Sequence, residues 1–280
     1  MNTHNGALAP TTELKPDPAS TVVEPIMAVE GFSFAYGDKP ILRDIDFSVG
    51  SGEFVCIVGP SGAGKSTFLQ CLAGLRQPTQ GRILFKGQAV TEPPAELAVV
   101  FQDYSRSLMP WLSAQENIAL PLKSAGVSRR ERDRRALDAL AEVGLEGSAD
   151  LYPWELSGGM QQRVAIARAL AYQPAVVIMD EPFASVDAQT RADLEDLTLR
   201  VKQHLGITIV LVTHDIDEAV YLSDRVLALS GKPAVVAAVV DVDLGADRDQ
   251  IATKERPEFA ELRSQLYRLI RRPAAVEGEK

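Results

Sequence analysis

The chain has 280 residues, 46% of them hydrophobic, enough for the core of one large α/β domain or two small ones. Its formal net charge of −9 argues against a protein whose affinity rests on neutralising nucleic-acid phosphates. No apolar run reaches the roughly 20 residues that a membrane-spanning helix needs, and the N-terminus has no apolar signal core, so the chain is expected to stay soluble and cytoplasmic.

Residues 1–25 carry four prolines among Thr, Asn, Ser and Asp with no apolar periodicity, which predicts a disordered tail with His4 exposed in it. Residues 26–49 read as short strands broken by a turn at Gly37-Asp38-Lys39-Pro40. Tyr36 stands just before that turn. It is placed either to stack on a nucleobase or to lie half-buried in its strand, whereas Phe32 and Phe34 read as core.

The apolar run 54–58 is followed by Gly59, Pro60, Ser61, Gly62, Ala63, Gly64, Lys65, Ser66 and Thr67, and then by a helical pattern at Phe68, Leu69, Leu72 and Leu75. Strand, glycine-rich loop and helix in this order make a phosphate-binding P-loop. Glycines let successive N–H groups and the helix N-terminus point at an anion. Lys65 is placed to reach the β- and γ-phosphates of a nucleoside triphosphate, and the Ser66 hydroxyl to sit on Mg²⁺. Cys56 and Cys71 lie in apolar patterns on either side of this loop and read as reduced core thiols.

Residues 98–101 predict a fully buried strand ending at Gln102, a side chain able to ligate Mg²⁺ or position water and, taken singly, only a polar strand cap. A mostly helical insertion follows, to about residue 155. Within it, Ser128 and Glu131 suggest a capping box, and Leu137, Leu140 and Val143 an apolar face. The arginines between 129 and 135 are interrupted by Glu131 and Asp133 and read as a solvated helix face. Leu108-Met109-Pro110-Trp111-Leu112 falls in a loop, either as an exposed docking surface or packed inside the insertion.

Leu156-Ser157-Gly158-Gly159-Met160-Gln161 opens a second helix with Ser157 as N-cap, a second potential anion-binding helix start. Residues 175–179 read as a buried parallel strand ending in Asp180-Glu181. Asp180 suits a Mg²⁺ ligand and Glu181 a base for an attacking water. Asp187 lies in the next loop, before a helix with Leu194, Leu197, Val201 and Leu205 on one stripe and His204 off it. A further buried strand over 207–212 leads to His214, at the sheet edge where ligands bind in α/β folds. Two strands over 226–229 and 234–242 precede a helix with Phe259, Leu262, Leu266 and Leu269 on one face, expected to pack on its own domain rather than on a membrane.

From residue 27 to residue 244 this series resembles the ATP-binding cassette (ABC) ATPases. The resemblance makes Tyr36 the A-loop, residues 59–67 Walker A, Gln102 the Q-loop and residues 156–161 the family signature. It makes Asp180 and Glu181 the end of Walker B, Asp187 the D-loop and His214 the H-loop. The fifth signature position is Met160, and Ala184-Ser185-Val186 stands where relatives carry Gly-Ala-Leu. The implied fold is an α/β P-loop NTPase, a mixed core sheet flanked by helices. It carries an antiparallel β subdomain and a helical subdomain at about 103–160, inside a cassette of residues 26–245 followed by a helical extension over 246–280.

The implied activity is hydrolysis of ATP with Mg²⁺. Glu181 is general base, Ser66, Gln102 and Asp180 surround the metal, and His214 meets the γ-phosphate. Two copies close head to tail, each presenting Ser157 and Gly159 to the ATP of the other, with Gly158 and Asp187 also counted among the nucleotide-binding residues. Phe101-Gln102, Leu108 to Trp111 and Glu116-Asn117-Ile118 are similar to the ATPases of nitrate, sulfonate and taurine importers. That likeness implies a permease seated on residues 102–117, a solute-binding protein beyond it, and a peripheral place on the cytoplasmic face of the inner membrane. Nucleic acid is not an expected partner. The exporter or lipid-handling cassettes are the alternative, and the soluble ABC proteins of translation or DNA maintenance a more distant one.

Overall fold

The computed structural model of the protein describes residues 24–103 and 107–271; the predicted tail with His4 lies outside them but for its last two positions. The chain begins with β1 (Met27–Tyr36), β2 (Lys39–Val49) and β3 (Phe54–Val58), then helix α1 (Lys65–Leu72). Short strands β4 (Gln80–Phe85), β5 (Gln88–Ala89) and β6 (Leu97–Val100) lead to helices α2 (Ala114–Ser124), α3 (Arg129–Glu142) and α4 (Gly158–Ala171). The last part alternates: β7 (Val176–Asp180), α5 (Ala188–Leu205), β8 (Thr208–Thr213), α6 (Ile216–Leu222), β9 (Arg225–Gly231), β10 (Ala234–Asp241) and α7 (Pro257–Arg271).

The strands form one mixed sheet in the order β5-β4-β1-β2-β10-β9-β3-β8-β7-β6. From β9 to β6 all pairings are parallel; β5, β4, β1 and β2 form an antiparallel ribbon. The expected antiparallel part is therefore continuous with the core sheet, joined where β2 meets β10 at Leu42 and Ala234. The central strands lack alternation because both faces are covered, and their side chains divide between two cores. Phe54, Cys56 and Val58 join Val177, Met179, Ile209 and Leu211 under α2–α7. Val55 and Ile57 join Val176, Ile178, Val210 and Val212 under α1 and the ribbon, where the Phe32 and Phe68 rings meet at 5.0 Å. Cys56 and Cys71, both free and buried, fall in opposite cores.

Several periodicity readings needed adjustment. The turn between the first strands is only Gly37-Asp38, so Lys39 and Pro40 already belong to β2. β6 is an edge strand, with Ala98 and Val99 half-buried and Phe101 45% exposed, because among the described residues no strand pairs beyond it. Leu75, Leu137 and Leu205 are exposed: α1 stops at Leu72, α3 buries Ala136, Ala139 and Leu140 instead, and Leu205 is the last residue of α5. Ser128 caps α3 through the Glu131 N–H, but the Glu131 carboxylate turns to Arg134 (2.8 Å) and Arg135 (2.7 Å) rather than back to the cap. Those two guanidiniums hold the Glu131 carboxyl down to about 2. The reciprocal capping box stands at Ser113 and Glu116, at the start of α2. No helix among the described residues is long and apolar enough to cross a membrane.

Candidate functional site: a cleft at the carboxyl edge of the sheet

β3 delivers the chain into the P-loop; β8 beside it leads to His214, and β7, the next strand beyond β8, delivers Asp180 and Glu181 to the same edge. Gly64 caps α1 in a left-handed conformation (φ 87°), and a Cβ there would stand 2.5 Å from Ile41 Cγ2, so only glycine fits. Lys65 is buried, and its Nζ donates to the carbonyls of Gly59 (3.0 Å) and Pro60 (3.2 Å). Burial lowers its pKa, opposed by the carboxylates of Glu181 and Asp180. Ser66 Oγ donates to Asp180 Oδ1 at 3.2 Å. Burial raises the Asp180 pKa, and the Ser66 bond holds it back.

Glu181 has left-handed backbone (φ 44°), a cost on the order of 1–2 kcal/mol for a residue with a Cβ. Its N–H donates to Val212 O at 2.8 Å, pinning the end of β7 to β8. Two side chains meet its carboxylate: Gln102 Nε2 donates to Oε2 at 3.2 Å, and His214 Nδ1 lies 3.1 Å from the same oxygen. The surrounding cleft, about 840 Å³, is lined by Gly59, Pro60, Ser61, Gly62, Gly64, Lys65, Ser66, Thr67, Tyr36, Glu181 and His214. Ala63 instead faces the core. Tyr36, left open between stacking and packing, is 48% exposed on the cleft wall, with its hydroxyl 3.2 Å from Thr67 Oγ1.

Ser157, Gly158, Gly159 and Asp187 are not among the residues lining this cleft. Ser157 caps α4 by accepting the Met160 N–H. A Cβ on Gly159 would stand 2.5 Å from Thr190 Cγ2. Thr190 in turn gives its hydroxyl (2.7 Å) and its N–H (3.0 Å) to Asp187, the N-cap of α5. These bonds, the Thr190 hydroxyl foremost, lower the Asp187 pKa. The helix start at Ser157 and the Asp187 loop thus form one surface unit, apart from the P-loop.

The model of the ABC transporter family matches residues 42–184, half of the chain. The chain belongs to the ABC transporter family. The nitrate import ATP-binding protein NrtD of Synechocystis sp. is 41% identical over 87% of this chain and 92% of its own length. The nitrate import ATP-binding protein NrtC of Synechococcus elongatus is 43% identical over 84% of this chain, which spans only 36% of that longer protein. Among solved structures, the dimeric post-hydrolysis state of the ATP-binding cassette MJ0796, bound to ADP and phosphate, superposes with a TM-score of 0.66 at 33% identity. It covers 77% of this chain and 98% of that one. As a cassette of this family the protein binds and hydrolyses ATP.

Three features of this ABC cassette escaped sequence reasoning. The Arg76 guanidinium lies 5.5 Å from the Tyr36 ring centroid, although its segment reads only as the end of a helix. Trp154 is 66% exposed and stacks on Tyr152 (4.7 Å, 9°), three residues before Ser157. Tyr267, Ile270 and Arg271 of α7 line the P-loop cleft, a contact that only the folded chain creates. The loop before α2 resolves both readings of its apolar segment: Leu108 is buried and Trp111 is 68% exposed. Asn117, wholly buried, fixes that presentation. Its Oδ1 accepts the Met109 N–H, and its Nδ2 donates to the carbonyls of Met109, Leu112 and Ser113.

Proposed function

We propose that this cassette is the ATP-driven motor of an importer, working as a homodimer on the cytoplasmic face of the membrane beneath a separate permease. The solute is proposed to be a small anion of the nitrate, sulfonate and taurine class, delivered by a solute-binding protein. The observation that carries the reading is the meeting of Lys65, Ser66, Asp180, Glu181, Gln102 and His214 at one sheet edge, while the Ser157 helix start faces elsewhere. A site complete for phosphate and water but separate from its own signature calls for a second copy. The names and lengths of the NrtD-type relatives support the import direction and the anion class.

In this reading the adenine stacks on Tyr36 and the P-loop N–H groups and Lys65 hold the phosphates. The donors Ser66, Gln102 and Asp180 are hard oxygen ligands of the kind Mg²⁺ takes beside phosphate and water, and the Ser66–Asp180 contact already groups two of them. Mg²⁺ there supplies charge neutralisation for the transferring phosphoryl group. Glu181, oriented by Gln102 and His214, takes a proton from water as the water oxygen bonds the γ-phosphorus. The bond to the β-phosphate oxygen breaks, leaving ADP and phosphate. ATP bridging the P-loop of one copy and Ser157 to Gly159 of the other favours the closed dimer, and hydrolysis releases it.

The exposed Trp111, held by Asn117, is the proposed contact for the permease. The test is co-purification and uptake. Wild-type protein from native membranes should carry a multi-spanning partner, and reconstituted pairs should take up labelled nitrate or a sulfonate only with ATP. Trp111→Ala should keep its ATPase rate when isolated and lose most of its stimulation by the partner. Recovery of ribosomes or nucleic acid with no membrane protein would overturn the importer reading.

A further inference from the structure

Helix α7 ends in a place that no motif prepares for. It is seated by Phe259 and Leu266, both fully buried, and Arg263 lies 3.7 Å from Asp217 on α6. That seating carries its last turn to the nucleotide cleft, where Tyr267, Ile270 and Arg271 line the same space as Lys65, Thr67 and His214. Packing does not account for Tyr267, 50% exposed, or for the exposed Arg271. The Arg271 guanidinium stands 4.8 Å from the Tyr267 ring centroid, a cation–π contact that restricts where the charge points.

Among the described residues lining the cleft, Lys65 and Arg271 are the only lysine and arginine. Lys65 is buried against two backbone carbonyls, with the carboxyls of Asp180 and Glu181 beside it. A guanidinium is always charged and presents a planar fork of donors that matches phosphate oxygens.

We propose that α7 is the far wall of the nucleotide site and that Arg271, steadied by Tyr267, binds a phosphate group of the bound nucleotide. This inference rests on the P-loop cleft being the nucleotide site. Nucleotide then ties the C-terminal helix to the cleft, so occupancy and helix seating strengthen each other by the same factor.

The full-length protein is titrated with ATP, ADP and adenosine by calorimetry at two salt concentrations, as wild type, Arg271→Gln, Arg271→Lys, Tyr267→Leu and Lys65→Ala. Arg271→Gln should raise the Kd for ATP about three- to tenfold, the loss of one charge-assisted contact at a partly solvated site. It should also flatten the salt dependence and leave adenosine unaffected. Arg271→Lys should recover part of the affinity, and Tyr267→Leu should lose less than Arg271→Gln. The role of α7 falls if Arg271→Gln binds ATP with wild-type affinity and salt dependence while Lys65→Ala has lost binding. It falls too if ATP and adenosine weaken equally, which makes Arg271 a packing residue. Wild-type affinity in Lys65→Ala overturns the nucleotide site itself and this inference with it. Because Arg271 is exposed at the helix end, its replacement leaves the seating of Phe259 and Leu266 intact.

Discussion

Two glycine-rich helix starts in this protein obey the same steric rule and serve opposite purposes. At α1, Gly64 is left-handed with no side-chain cap, and a Cβ would strike Ile41; at α4, Ser157 supplies the cap, and a Cβ on Gly159 would strike Thr190. The first lines a cleft together with Lys65, Ser66 and Thr67. The second sits on the outer surface, its Ser157 and Gly158 exposed. In the proposed function the first holds the phosphates of its own chain's nucleotide, and the second meets the nucleotide held by another copy.

The sharpest way to separate the two is to stop the chemistry and leave binding intact. Glu181→Gln should lower ATP turnover by about 10²–10⁴-fold, the range of a lost general base, while ATP affinity stays and the ATP-bound dimer persists. Turnover within a few-fold of wild type, measured as phosphate release, would assign the base elsewhere.

Next come the glycines. Gly64→Ala should abolish nucleotide binding, because φ 87° and Ile41 both resist it. Gly159→Ala should leave binding by the isolated chain unchanged and cost about 1–3 kcal/mol of stability through overpacking. Thr190→Ser removes the offending Cγ2 and keeps the hydroxyl on Asp187, so the double variant should recover most of that loss in chemical denaturation. A Gly159→Ala chain that no longer binds ATP would erase the distinction.

A third helix start, α6, serves as a control. Asp215 caps it, and Glu218, buried and with one carboxyl oxygen unpartnered, fills its first turn. Burial first, then Glu195 and Asp215, push Glu218 up to about 8 from its usual 4.5. Folding therefore favours the protonated acid. That stability is fully present below about pH 4.5, and it is lost as pH rises through about 8. Glu218→Gln should gain melting temperature relative to wild type progressively across that window, with no change in ATP affinity; a pH-independent difference would refute the buried-acid account. Smallest is Ser157→Ala, which removes the α4 cap and should cost about 1 kcal/mol in denaturation.

How much of this was readable beforehand depended on whether a feature is local. Residues 54–58, 176–180 and 208–213 announced themselves because strands covered on both faces carry unbroken apolar runs. The same logic overreached at Phe101, since an apolar run does not say whether a neighbour strand exists beyond it. Lys65, Ser66, Asp180, Glu181 and His214 were legible as motifs fixed to strand ends. Arg76 over Tyr36 and Arg271 at the cleft depend on segments meeting across the fold, and no spacing in the chain encodes those meetings. Trp154 on Tyr152 is a local contact, but its stacking depends on the turn at Pro153, which the sequence pattern did not single out.

The place of β3 in the sheet has a further consequence while the protein is being made. Its two neighbours, β8 and β9, come from the last third of the chain. At about 5–20 residues per second, a ribosome that has released β3 needs roughly 10–35 s more to finish them. During that interval five consecutive apolar residues, Phe54 to Val58, lack one or both flanking strands. The P-loop cleft is thus among the later parts of the nascent chain to be completed, although its defining loop is synthesised early.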